Sequence, residues 1–186
     1  RGTAQNDDIY FQNTEVRNKY YDNAINNVEE YMNKINKITK KDYGLFNYYG
    51  DKNATSIIIA MGSVCNTIEE TIDKLNSIGY KVGLVKVHLY RPFSIKHLLN
   101  VIPKTVKEVA VLDRTKEPGS SGEPLYLDVI NALKDTNIKV IGGRYGLSSK
   151  NTTPSMIKAV FDNLINEKKN NFTIGINDDV TNLSLE

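Results

Sequence analysis

From Ala54 to Glu167 the chain alternates short apolar runs with amphipathic stretches, and that alternation restricts the fold more than any other feature. Thr55–Met61 has an unbroken apolar centre, as a strand buried on both faces requires. Lys81–Leu89, Glu108–Leu112 and Ile138–Ile141 repeat the signal as further strands. Between them lie helix patterns. Thr67 and Glu70 have capping-box spacing at the head of a helix expected over 67–78, which Gly79 closes. Ser94 is the expected N-cap of a short helix that Pro103 ends, Pro124 sits in the first turn of a helix over about 123–134, and Thr153/Pro154 opens one that reaches Glu167. Strands apolar on both faces with short helical connections imply a three-layer α/β fold, a mostly parallel open sheet with helices on both sides.

The flanks read differently. Residues 1–17 are polar and irregular, with Ile9, Tyr10 and Phe11 as an anchor onto a neighbouring surface, so they are expected to form an arm. Asn18–Lys40 places Tyr21, Ala24, Ile25, Val28, Tyr31, Met32, Ile35 and Ile38 at three- and four-residue spacing, a long amphipathic helix whose stripe reads as core packing. Tyr43–Gly50 reads as an aromatic loop seating that helix. After Glu167 a polar run leads into Phe172–Ile176 and an acidic end, read as a second arm. The expected division is 1–50 for arm, helix and aromatic loop, 51–169 for the α/β domain, and 170–186 for an arm leading to a following domain. A start at Arg1 rather than Met adds the expectation of a piece cut from a longer chain.

Composition narrows the function classes. With 24 basic and 22 acidic residues the net charge is +2, which offers no electrostatic case for nucleic acid or a membrane surface. No apolar run reaches the roughly 18 residues of a membrane span, and the first residues lack a signal-peptide pattern. Cys65 is the single cysteine, so no internal disulfide and no four-thiolate metal or iron–sulfur site can form, and a reducing compartment is implied. Cys65, His88 and His97 lack zinc-ligand spacing. Cys65 follows a strand-to-helix turn where a helix start lowers a thiol pKa, yet nothing adjacent in sequence activates it, so it reads as a small buried residue.

The candidate binding residues are basic. Arg91, Arg114, Lys116 and Arg144 all follow strands, and a parallel sheet brings such positions to its carboxyl edge, where open α/β folds place ligands. They suit an anionic ligand such as a phosphate-bearing cofactor. The competing reading has Asp113, Glu117, Glu123 and neighbouring subunits satisfying these charges, and the near balance of acids and bases favours it. Met61–Ser63 carries one glycine at a helix start and lacks both the dinucleotide fingerprint and the P-loop lysine. Gly142, Gly143 and Gly146 around Arg144 permit close backbone approach, and read as a turn.

Several stretches, in order along the chain, resemble pyruvate:ferredoxin (flavodoxin) oxidoreductase. They are Arg1-Gly-Thr-Ala-Gln5, Asp8-Ile-Tyr-Phe-Gln12, Leu45-Phe-Asn-Tyr-Tyr-Gly50, Ile58-Ile-Ala-Met-Gly-Ser-Val-Cys65, Lys81-Val-Gly-Leu-Val-Lys-Val87, Leu89-Tyr-Arg-Pro-Phe93, Val111-Leu-Asp-Arg-Thr-Lys-Glu-Pro-Gly119, Gly122-Glu-Pro-Leu-Tyr126 and Gly142-Gly-Arg-Tyr-Gly146. The resemblance implies the second domain of a large cytoplasmic, homodimeric enzyme, with a fold like the transketolase C-terminal domain. Such enzymes decarboxylate pyruvate oxidatively on thiamine diphosphate with Mg, pass electrons through iron–sulfur clusters to ferredoxin or flavodoxin, and transfer the acetyl group to coenzyme A. It further implies that residues 1–17 leave a pyrimidine-binding domain and 172–186 enter the next, and that no catalytic residue and no cofactor belong to this segment. The role left to it is architectural, with Arg91, Arg114, Lys116 and Arg144 on an interdomain or coenzyme A-facing edge. An independent phosphate- or nucleotide-binding enzyme, and a free-standing subunit of another 2-oxoacid oxidoreductase, are the rival readings.

Overall fold

The structure, a computed structural model, describes residues 4–185, so Arg1–Thr3 of the first quoted motif and Glu186 lie outside it. Seven strands form one sheet in the order β1-β3-β2-β4-β5-β6-β7. They are β1 Phe46–Gly50, β2 Ser56–Ala60, β3 Val82–Val87, β4 Glu108–Asp113, β5 Lys139–Arg144, β6 Phe172–Ile174 and β7 Ser184–Leu185. Every pairing is parallel except β1 with β3, where Phe46 lies opposite Val87 and Gly50 opposite Gly83. The helices are α1 Asp7–Glu15, α2 Asn18–Thr39, α3 Val64–Ser77, α4 Ile95–Val101, α5 Pro124–Leu133 and α6 Pro154–Ile165.

Strand periodicity divides the core into two layers. Ile58 and Ala60 of β2, Leu84 of β3 and Ala110 and Leu112 of β4 face α3 and α6. Ile57, Ile59, Val85, Val109 and Val111 face the other way, against Leu98 of α4 and Leu125, Val129 and Leu133 of α5. All five residues of β2 are buried, which explains why its run carries no polar centre. The expected three-layer, mostly parallel architecture is therefore what the chain adopts.

Local departures have physical causes. α3 starts at Val64, not Thr67, and the capping box does not form: Thr67 lies inside the helix, where its carbonyl accepts the Thr71 hydroxyl at 2.7 Å. Ser94 precedes α4 but makes no cap hydrogen bond; its hydroxyl meets His97 Nδ1 at 2.6 Å. Residues 7–15, expected to be irregular, form a helix whose N-cap Asn6 accepts the Ile9 N–H at 2.9 Å. Phe46–Gly50, the larger part of the aromatic loop, is the edge strand β1.

Gly142 and Gly143 are strand, not turn. A Cβ on Gly142 would come within 2.8 Å of the Tyr126 ring, and one on Gly143 within 2.1 Å of the Phe172 ring. The glycines make room for aromatic packing. Phe172–Ile174, read as part of an arm, extends the sheet instead, because Asn170 accepts the Gly142 N–H at 2.8 Å and Asn171 holds Arg144. α2 forms over the expected span, but none of its residues is buried. Ile25, Val28 and Met32 rest partly buried on the core, while Tyr21, Tyr31, Ile35 and Ile38 stay exposed, so the stripe is core packing only in part.

Candidate functional site

The sheet reverses direction of growth between β2 and β4: β2 leads into α3 on one face, and β4 into α5 on the other. Ligand crevices of open α/β sheets form at such a point, outside the carboxyl ends of the strands. A crevice of about 350 Å³ occupies it here. It is lined by Met61–Ser63 after β2, by Arg114, Thr115 and Pro124 after β4, and by Tyr90, Leu112 and Tyr145.

The loop from Asp113 to Glu123 is held by two buried carboxylates. Asp113 Oδ1 accepts the Leu125 N–H at 3.0 Å and Oδ2 accepts the Tyr126 N–H at 3.1 Å. Those are first-turn amides of α5 that have no partner within the helix, so Asp113 caps it across the whole loop. Burial pushes the Asp113 carboxyl above its ordinary value, against the opposite pull of those two N–H groups. Glu123 Oε2 accepts the Glu117 N–H at 2.7 Å, and Oε1 faces Arg144 Nη1 at 3.3 Å and Lys116 Nζ at 3.5 Å.

The four basic residues thus have separate fates. Arg144 is buried; besides Glu123 it donates to the Asn171 side-chain oxygen and, at 3.0 Å, to the Asn171 carbonyl. Lys116 converges with it on Glu123. Arg91 turns to α5, meeting Asp128 at 2.7 Å and stacking 3.9 Å from the Tyr90 ring centre. Only Arg114, among the four, has no carboxylate partner within the described residues. Its Nε donates to the Gly146 carbonyl at 3.0 Å, and Gly146, at φ +63°, leaves space for that side chain. Asp128 is not among the acids that the sequence singles out, and Lys150 is not among the bases; Lys150 shares with Arg114 a polar cleft of about 180 Å³ beside the crevice, together with Ser63 and Thr67. No motif marks Lys150, because its position depends on the turn after β5.

Other candidate groups are occupied. Burial raises the Cys65 thiol to about 11, so it is protonated at neutral pH and no nucleophile. Ser94, His97 and Glu29 line up, with His97 Nε2 3.7 Å from Glu29 Oε1. Ser94 is buried, however, and lines none of the clefts described here, so this contact ties α4 to α2. A larger cleft, about 550 Å³, lies beside α6, where Asp179 accepts from Thr181 and Ser184, Asp162 pairs with Lys158, and Asn163 bonds Lys169. Among the described residues no three His, Cys, Asp or Glu side chains gather as a metal site requires, and no helix is long and apolar enough to cross a membrane. One buried thiol does not fit an iron–sulfur cluster, nor does this set of acids fit a divalent cation.

Residues 54–157 match the family of pyruvate:ferredoxin oxidoreductase core domain II. The chain is 57% identical over its whole length to a pyruvate-flavodoxin oxidoreductase of Enterobacter agglomerans, and 56% identical to the pyruvate:ferredoxin oxidoreductase of Moorella thermoacetica. It spans 16% of the length of each. A pyruvate-flavodoxin oxidoreductase from a Nostoc species is 52% identical, with 47% of its length covered. A solved 2-oxoglutarate:ferredoxin oxidoreductase from Magnetococcus marinus superposes at a TM-score of 0.47 over 71% of this chain and 22% of its own, at 21% identity. The chain belongs to the pyruvate:ferredoxin oxidoreductase core domain II family.

Proposed function

We propose that this chain is the architectural second domain of a cytoplasmic, homodimeric pyruvate:ferredoxin or pyruvate:flavodoxin oxidoreductase. That enzyme converts pyruvate and coenzyme A to acetyl-CoA and CO2 and reduces ferredoxin or flavodoxin. Thiamine diphosphate with Mg and the iron–sulfur clusters supply decarboxylation and electron transfer, and they are held by other domains of the same polypeptide. The single observation that carries the reading is the state of the carboxyl edge. Its charged groups bond chiefly to one another, Arg144 and Lys116 to Glu123 and Arg91 to Asp128, which stiffens that surface.

The edge is therefore best suited to meet another domain. Arg114 is the member of the basic set with charge left to offer, to a carboxylate of a neighbouring domain or to the phosphates of coenzyme A along an interdomain path. Arg114→Ala in the intact enzyme tests this. Weakened assembly with unchanged pyruvate KM supports an interdomain contact, whereas a raised coenzyme A KM with normal assembly supports a coenzyme A-facing edge. Unchanged assembly and kinetics would refute both.

A further inference from the structure

α2 carries two apolar stripes and this domain covers only one. Ile25, Val28 and Met32, at spacings of three and four, meet the core. Tyr20, Tyr31, Ile35 and Ile38 fall at helical spacing on an adjoining strip, and all four are exposed, Tyr31 by 62% and Ile38 by 81%. The combined apolar arc is wider than the roughly 100° that one partner accounts for. The charges of α2 occupy the remaining side, where Glu30 pairs with Lys34 at 2.6 Å.

α1 adds an independent observation. None of its nine residues is buried, and it presents Tyr10 and Phe11, 60% and 69% exposed. It is nonetheless encoded as a helix, with Asn6 as cap and Asp7 and Asp8 in its first turn. A helix shorter than about 12 residues does not hold by itself in water, so α1 requires a surface to lie on. Exposed aromatic side chains of roughly 150–250 Å² each, repeated along two successive helices, exceed what a free surface usually carries.

We propose that α1 and the outer stripe of α2 form a docking surface for the rest of the same polypeptide, so that α2 is a shared seam packed on this domain by one stripe and on a neighbouring domain by the other. The occupant is argued from length: relatives that match this chain from end to end are far longer, the chain spanning 16% of them, so the larger part of such a polypeptide is at hand in cis to cover the stripe. The inference rests on the reading of the chain as one domain of a larger enzyme.

The test uses the intact polypeptide with the photo-crosslinking amino acid p-benzoylphenylalanine at position 31 or 38. The expected product is a crosslink from each position to a peptide of the same polypeptide outside these 186 residues. A crosslink to a second copy, seen as a band of doubled mass, overturns the proposal, as does the absence of any crosslink from a folded sample. In the same polypeptide, Tyr31→Asp combined with Ile35→Asp should speed amide exchange across residues 20–38 at least tenfold while β2 and β4 keep their protection. Unchanged exchange in α2 overturns the docking. Neither readout depends on turnover. An intact polypeptide that fails to oxidise pyruvate would refute the functional reading and leave the docking result to stand or fall separately.

Discussion

Arg144 and Glu123 face each other in the interior, Nη1 to Oε1 at 3.3 Å, and join the end of β5 to the head of α5. Both are more than nine-tenths buried, so neither charge has water to fall back on. Removing Glu123 leaves the buried Arg144 guanidinium without a carboxylate, held only by the neutral acceptors of Asn171. Glu123→Ala is expected to lower unfolding free energy by about 3–5 kcal/mol, measured by urea denaturation. Glu123→Leu combined with Arg144→Met should cost less than the two single changes added together, because no buried charge remains and Lys116 is half-exposed to water.

Asp113 serves α5 from twelve residues away. Asp113→Ala leaves the Leu125 and Tyr126 N–H groups without acceptors and should cost about 1–2 kcal/mol, the range of a lost cap. Its raised carboxyl adds a pH signature. A folded pKa above the unfolded one contributes stability on the acid side that is lost as pH rises through the folded value. The deficit of Asp113→Asn relative to the natural chain should therefore be larger near pH 4 than at pH 7, by parallel thermal melts.

Gly143→Ala sets a methyl against the Phe172 ring, which nothing nearby can yield to without moving β6. A destabilisation of about 1–3 kcal/mol is expected from the overpacking. Phe172→Leu in the same chain should recover part of it, and a simple additive loss would show that the ring is not the obstacle.

These three sites also mark where the sequence was legible. β2, β3 and β4 stand out because they are apolar on both faces, and α5 and α6 because proline sits in their first turns. The basic residues stand out because each lies at or just past the carboxyl end of an apolar run. What they bond to does not, since Asn171 and Asp128 become partners only through the order of strands and the face of α5. Gly142 and Gly143 resemble a turn when read locally, and only the rings of Tyr126 and Phe172, distant in sequence, explain them. Thr67 and Glu70 matched a cap that the tertiary structure bypasses, because the Met61–Ser63 turn already starts α3. α2 was legible as a helix, but its stripe could not say which half meets this domain.

Cys65 gives a second pH test. Burial raises its thiol from 9.0 to about 11. The stability this contributes is fully present below the ordinary thiol value and lost as pH rises from 9.0 towards 11, as the unfolded chain ionises first. Cys65→Ala should flatten the stability profile across that window. Alkylation of the natural chain by iodoacetamide at pH 8 should proceed only as fast as the protein opens.

We propose that this domain carries no cofactor chemistry of its own, and calorimetric titration of the folded 186-residue chain with coenzyme A, and separately with thiamine diphosphate, tests that most directly. The expected result is no heat of binding with either ligand. Saturable binding of coenzyme A that disappears in Arg114→Ala would contradict it, and would turn the carboxyl edge from a scaffold into a ligand site.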